Sequence, residues 1–335
     1  MFRLPLRRNT RDVRAAVTLI ELMVVTAILA FVVYAIFQLL STMISLSSHS
    51  EAWSNILQWS QQGVNRVSEE AASLRRIYPN DALGNGYLAV LPAPSVFPRL
   101  GNVRLPTVAP TGNFRADTLG NEQTGNCFLL CRERPPFDAV LAGGATRRID
   151  VYTLVIYYLS PVNRAMGPWP RSLILARWES VEFADWTQVT SLAAIEQPEV
   201  MQLLSNQRAI THLWRFDQAP ATAFFPFDAI GNLGPVDPLY APVEARNTNV
   251  IQNLGFGFAG VAWNRNANVW ISEPTPLFGL FNPAGDGFPH GFEVQVTGPT
   301  GARTILFRLV ISEFVGLDQD LDTFSLSAIV NAHEF

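Results

Sequence analysis

Between Ala15 and Leu40 the chain runs for 26 residues with a single charge, Glu21. About 20 apolar residues at 1.5 Å each cross a bilayer core, so this run can span a membrane as one helix. It is too long for the apolar part of a secretory signal, and no small-x-small cleavage site follows it. The flanks predict an orientation. Residues 1–14 carry Arg3, Arg7, Arg8, Arg11 and Arg14 against Asp12, a net of +4. The positive-inside rule then keeps the N-terminus in the cytoplasm and sends everything after Ser41 outside. That exported part holds 19 arginines against 26 acids, a net of −7, which disfavours nucleic acid as a partner.

Composition removes many chemistries. All 24 basic residues are arginine, so functions that need a lysine are excluded: P-loop NTPases, kinases, Schiff-base enzymes and Ser-x-x-Lys acylases. Two cysteines cannot build a four-thiolate zinc or iron–sulfur site, and His49, His212, His290 and His333 have no metal-ligand spacing. Nucleophile elbows, His-Glu-x-x-His and a GxGxxG entering a helix are all missing. The chain therefore reads as non-catalytic and without a cofactor.

An acid inside an apolar helix costs on the order of 2.5–3.5 kcal/mol on insertion scales, which makes Glu21 a functional candidate. Its surroundings, Arg14-Ala15-Ala16-Val17-Thr18-Leu19-Ile20-Glu21-Leu22-Met23, resemble the processing signal of type IV prepilins and type II secretion pseudopilins. That pattern is a basic leader, a small residue, an apolar residue, Thr-Leu-Ile-Glu and a long apolar helix. The resemblance implies cleavage by a prepilin peptidase between Ala16 and Val17 and N-methylation of Val17. Arg14, Thr18, Leu19 and Ile20 then belong to the recognition motif. Glu21 becomes the acid that meets the terminal amine of a neighbouring subunit and sets the stagger of stacked helices. Ala16 stands where the family prefers glycine, and Val17 where it usually has phenylalanine.

The helix can continue well past the membrane. No proline occurs between Leu6 and Pro79, and Gly63 is the one glycine before Gly84, so a helix over about 17–77 is predicted. Trp53, Leu57, Ser60, Val64, Val67, Ala71 and Leu74 alternate at spacings of four and three, a stripe that predicts burial against the protein's own globular part. Glu69 and Glu70 read as a solvated pair on the other side, and Pro79-Asn80-Asp81 as the helix stop.

Residues 79–150 are rich in Pro, Gly and Asn and suggest loops and edge strands. From about Ile149 the signal is β. Val151–Leu159 and Ser172–Trp178 predict a long-looped antiparallel hairpin, and Glu199–Arg208 a short helix. Val250–Phe258, Gly260–Asn264 with Val269–Ile271, Gly291–Thr297 and Arg303–Glu313 read as further strands. The predicted fold class is α+β, a long transmembrane-plus-amphipathic helix packed on antiparallel sheet. Its parts are a basic leader (1–16), a membrane segment (17–40), an amphipathic continuation (41–77) and an exported β-rich domain (78–335). The pilin family builds the same arrangement.

Within that family the large size is similar to minor, tip-located subunits. VIYYL followed by LILARWE resembles strands of the J-type minor pseudopilins, and also the cyanobacterial pseudopilin of hormogonium polysaccharide secretion. The resemblance implies a structural subunit of a type II secretion pseudopilus or type IV pilus-like filament. It also implies an inner-membrane precursor with a periplasmic globular domain, and minor and major pseudopilins as partners. Rival readings are an adhesive or ligand-binding minor pilin and a membrane-anchored enzyme.

Two residue groups remain. Cys127 and Cys131, spaced C-x3-C in an oxidising compartment, are either a disulfide or two buried thiols; a bridge needs a Cα separation below about 7 Å. Asp318, Asp320 and Asp322 in GLDQDLDTF are a weak calcium candidate, since hard cations want converging carboxylates. Thr323 and Ile329 break the EF-hand pattern, and a solvated acidic loop is the alternative. Some pseudopilins hold calcium in a C-terminal loop. Asn282, Asp286 and Gly287 are weaker still, and His212 beside Trp214 and Phe216 reads as partly buried structure.

Overall fold

Apolar periodicity becomes geometry in a computed structural model that describes residues 19–92, 94, 96–99, 103–109, 114, 124–162, 172–245, 249–250, 261–264, 269–272, 292–315 and 320–334. Helix α1 (Leu19–Ala72) is 54 residues long, about 80 Å at 1.5 Å per residue. Its two halves live differently. Residues 19–44 are exposed throughout, and the most apolar 18-residue stretch has a mean hydropathy of 2.6 with none of it buried. Further along, Ser60, Val64, Val67 and Ala71 are buried, as the stripe predicted, whereas its first two members, Trp53 and Leu57, stay 38% exposed. Trp53 meets the Phe324 ring edge-on at 6.0 Å between centroids. Each fully buried valine or leucine contributes about 1.5–3 kcal/mol, so this end of the helix is anchored by packing.

The helix stops earlier than predicted. The Ser73 hydroxyl and amide both donate to the Glu70 carbonyl, and the chain leaves directly into strand β1 (Leu74–Ile77). A register irregularity between Leu74 and Arg76 lets Leu74 and Ile77 both enter the core, so a three-residue spacing that looks helical is a bulged strand. Pro79-Asn80-Asp81 does not close α1. Instead Asp81 opens α2 (Ala82–Val90), its carboxylate accepting from the Gly84 amide at 2.7 Å. Gly84 is required there, because a Cβ would lie 2.0 Å from the Pro79 carbonyl oxygen. This helix falls within the stretch that composition suggested as loops and edge strands.

The large sheet contains β1, β3 (Cys127–Val140), β4 (Thr146–Val162), β5 (Ser172–Glu179), β6 (Phe183–Asp185), β7 (His212–Trp214), β8 (Phe224–Pro226) and β9 (Asn249–Val250); β2 (Val108–Ala109) belongs elsewhere. The order β1-β3-β4-β6-β7-β8 runs across one end, while β5 takes the other part of the β4 edge and carries β9. The predicted β4–β5 hairpin is antiparallel, with Tyr157 opposite Arg177. Helices α3 (Trp186–Thr190), α4 (Glu196–Arg208) and α5 (Pro220–Ala223) fill the connections between β6 and β8. Strands β10 (Val261–Asn264) and β11 (Val269–Ser272) pair by themselves. The rest of the predicted Val250–Phe258 strand lies outside the described residues.

The second sheet has the order β14-β13-β12-β2, with β12 (Phe292–Thr297), β13 (Arg303–Val315) and β14 (Asp320–Ala332). The β12–β13 hairpin is as the sequence suggested; β14 replaces a predicted acidic loop. Phe292, Val294, Ile305 and Phe307 from this sheet, with Phe128, Val155 and Tyr157 from the large one, close over Val64, Val67 and Ala71 of α1. The opposite face of the large sheet buries an aromatic cluster that includes Tyr78, Tyr87, Trp178 and Trp214. The molecule is thus a mixed α+β fold with a long apolar N-terminal helix and antiparallel-rich sheets.

Candidate functional site

Two places concentrate unusual physical chemistry: the bare half of α1 and a charged cleft at its other end. On the bare half, Leu19 and Ile20 are 76% and 72% exposed. Glu21 occupies the first turn, where a carboxylate complements the positive end of the helix dipole. The remaining motif residues, Arg14, Ala16, Val17 and Thr18, lie outside the described residues. The polar side chains farther along spend their donors on the helix itself. Thr26 Oγ1 donates to the Leu22 carbonyl at 2.9 Å, Thr42 Oγ1 to the Gln38 carbonyl at 2.9 Å, and Gln38 Nε2 to the Tyr34 hydroxyl at 3.0 Å. Such self-satisfaction is what a helix needs where no water is available. An exposed apolar surface of this size is otherwise an interaction site.

The second place corrects the sequence reading of Glu69 and Glu70. Glu69 is exposed, but Glu70 is buried at the centre of an ion-pair network. Arg177 on β5 approaches Glu70 at 2.8 Å through Nη2 and donates from Nε to both carboxylate oxygens at 3.1 Å. Arg132 on β3 adds a contact at 3.0 Å, and the Tyr157 hydroxyl donates to the remaining oxygen at 2.5 Å. Arg177 also pairs with Glu179 at 2.9 Å and is only 3% exposed.

Alternation along the sheet creates this band. Phe128, Leu130, Arg132 and Arg134 on β3 share a face with Thr153, Val155 and Tyr157 on β4 and with Leu175, Arg177 and Glu179 on β5. The face is apolar on both sides of the charges. One side is the core under α1; the other, around Ile149, Val151, Val200 and Leu204, is packed by α3 and α4.

Burial would raise the Glu179 carboxyl, but the charge and hydrogen bond of Arg177, with Arg134 and the Thr153 hydroxyl, together hold the group below the usual range. Burial raises the Tyr157 hydroxyl, and the charge of Glu70 raises it further. Outward from this centre the pairs loosen. Arg134 is 3.7 Å from Glu179 and 3.4 Å from Glu182, and Arg208 on α4 is 3.6 Å from Glu182. Together these groups, with Arg66, line a cleft of about 560 Å³.

The other sequence candidates separate. Cys127 and Cys131 are free and buried, so the disulfide reading is corrected. They stand four residues apart on one strand, roughly 13 Å at 3.3 Å per residue. Burial pushes the Cys127 thiol up to about 12, with Arg99 opposing, and raises Cys131 as well. An alkylating reagent is therefore expected to leave both thiols unmodified in the folded protein and to add two labels in denaturant without reductant, read by intact mass. A disulfide would take label only after reduction.

Asp320 and Asp322 begin strand β14, opposite Val315 and Glu313, rather than forming a loop. Asp318 lies outside the described residues, as do Asn282, Asp286 and Gly287. Among the described residues no group of three or more His, Cys, Asp or Glu could hold a metal ion. His212 is half-buried and stacked on Tyr240 at 4.1 Å; burial lowers its pKa, opposed by Asp237. Comparisons with protein-family models, curated proteins and solved structures return no match.

Proposed function

We propose that the chain is a pilin-like subunit, a minor pseudopilin of a type II secretion pseudopilus or type IV pilus-like filament. The observation that carries this reading is the division of α1: one unbroken helix, bare and apolar over residues 19–44 with an acid in its first turn, then buried against antiparallel sheet. A membrane anchor alone does not need that continuity. A filament subunit does, because the bare half must pass from lipid to the apolar flanks of neighbouring helices while the globular domain stays fixed to it.

In this reading the precursor sits in the inner membrane with the N-terminus cytoplasmic and the globular part periplasmic. Prepilin peptidase cuts between Ala16 and Val17 and methylates Val17. Glu21 pairs with the terminal amine of the adjacent subunit, since two opposite charges in lipid are each costly alone. The globular domain selects partners among other minor and major pseudopilins, and the subunit performs no catalysis. A J-type position at the filament tip and service in polysaccharide secretion are the finer assignments within the class.

The test is the intact mass and N-terminal sequence of the protein recovered from its native membrane. The expected chain starts at methylated Val17 and lacks residues 1–16. A chain that retains Arg14 and Ala16 overturns the processing and leaves a simple membrane anchor.

A further inference from the structure

We infer that the cleft beside α1 binds a small oxyanion, a phosphate or carboxylate group, through the guanidinium groups of Arg66, Arg134 and Arg208. The site is independent of the filament reading.

Arginine is concentrated there. Of the 19 arginines beyond the apolar segment, five line this one cleft, in a part of the chain that is otherwise acidic. How strongly they are engaged falls off outward. Arg177, at the bottom, makes contacts of 2.8 and 2.9 Å and is fully engaged. At the rim, Arg134 and Arg208 make ion pairs of 3.4–3.7 Å and are 32% and 25% exposed; Arg208 also donates from Nη1 to the Pro135 carbonyl at 2.8 Å, which leaves its other nitrogens for a ligand. Arg66, one helical turn before Glu70 and half-buried, has no ion pair among the described residues.

The carboxylates deep in the cleft are already engaged: Glu70 by Arg132, Arg177 and Tyr157, and Glu179 by Arg177 and Thr153. At the rim the guanidinium groups of Arg66, Arg134 and Arg208 share the cleft with two carboxylates, Glu182 and Glu244, so cations still outnumber acids there, and each guanidinium is a planar fork suited to carboxylate or phosphate. The described lining holds no aromatic ring on which a sugar or base could stack, which points to a small polar anion.

The test titrates full-length protein in detergent with sodium phosphate and, separately, with sodium citrate, against sodium chloride of matched ionic strength. Saturable calorimetric binding is expected with one or both anions and not with chloride. Phosphate alone identifies a phosphate site, citrate alone a carboxylate site, and both a general oxyanion site. Arg66→Gln with Arg134→Gln is expected to weaken binding about tenfold or more. Glu182→Gln is expected to tighten it about fivefold, because it removes the group competing for Arg134 and Arg208. Should the double variant fail to fold, Arg66→Gln alone, at a position without an ion pair, is expected to weaken binding about fivefold at an unchanged melting temperature. No saturable response to either anion, or binding that the Arg66 variant leaves unchanged, overturns the inference.

Discussion

Replacing Glu70 with alanine is expected to lower the unfolding free energy by about 3–5 kcal/mol, because it strands a buried guanidinium. Arg177 is 3% exposed and would keep only Glu179, while Arg132 and the Tyr157 hydroxyl would lose their shared acceptor. The measurement is denaturant unfolding of the full-length protein in detergent, followed through the tryptophans. A second variant separates charge burial from packing. Glu70→Met with Arg177→Met removes both charges at similar volume and is expected to recover part of the loss, but not all of it, because Arg132 and the Tyr157 hydroxyl still lose an acceptor and Glu179 a donor. A loss below about 1 kcal/mol for Glu70→Ala would place the pair among solvated surface contacts and contradict the geometry.

The second large effect concerns assembly. On the proposed pilin-like reading, Glu21→Ala is expected to leave membrane insertion intact, since it removes a cost on the order of 2.5–3.5 kcal/mol, and to impair co-assembly with partner subunits. Membrane fractionation reports the first property, and cross-linking with co-purification of partner pilins reports the second. Incorporation at the wild-type level would refute the role of Glu21 in setting register. The result also bears on Ala16 and Val17, because an unprocessed precursor would fail to assemble with Glu21 intact.

Much of the architecture was legible in the letters. The stripe from Ser60 to Ala71 and the hairpin pairing Phe292–Thr297 with Arg303 onward repeat at the periods of helix and strand. The end of α1 was not, since Leu74 and Ile77 keep a helical spacing that a bulge satisfies equally well. Helix α2 was hidden by Gly84 and Gly86, whose low helix propensity is overridden by the Asp81 cap and by Tyr87 packing on Tyr78, Trp214 and Phe224.

The charged centre has a signal in the sequence too. Glu70 is three residues from Val67 and four from Leu74, both stripe positions, so at 100° per residue it lies at the flank of the buried stripe while Glu69 points directly away from it. Arg177 likewise follows Leu175 on the core side of its strand. An acid at the flank of an apolar stripe and a base on an apolar face call for one another, but only the packing of α1 on the large sheet shows that they meet. The two aspartates of β14 misled for the opposite reason. They precede Phe324, Leu326, Ala328 and Val330, whose strand alternation was present beneath a loop-like acidic start.

The direct passage of α1 into β1 makes helix and sheet one mechanical member. Only Ser73 separates Ala72 from Leu74, so tension applied along the projecting half has no slack segment in which to dissipate. It arrives at β1, where the pairs Leu74–Arg132, Arg76–Cys131 and Ile77–Leu130 join it to β3. Glu334 braces the same point, accepting from the Ile77 amide at 2.8 Å and from Arg303 Nε at 2.8 Å. A pull along the helix first meets the second sheet through Trp53 and the buried stripe, and what passes on to β1 is shared between both sheets through Glu334.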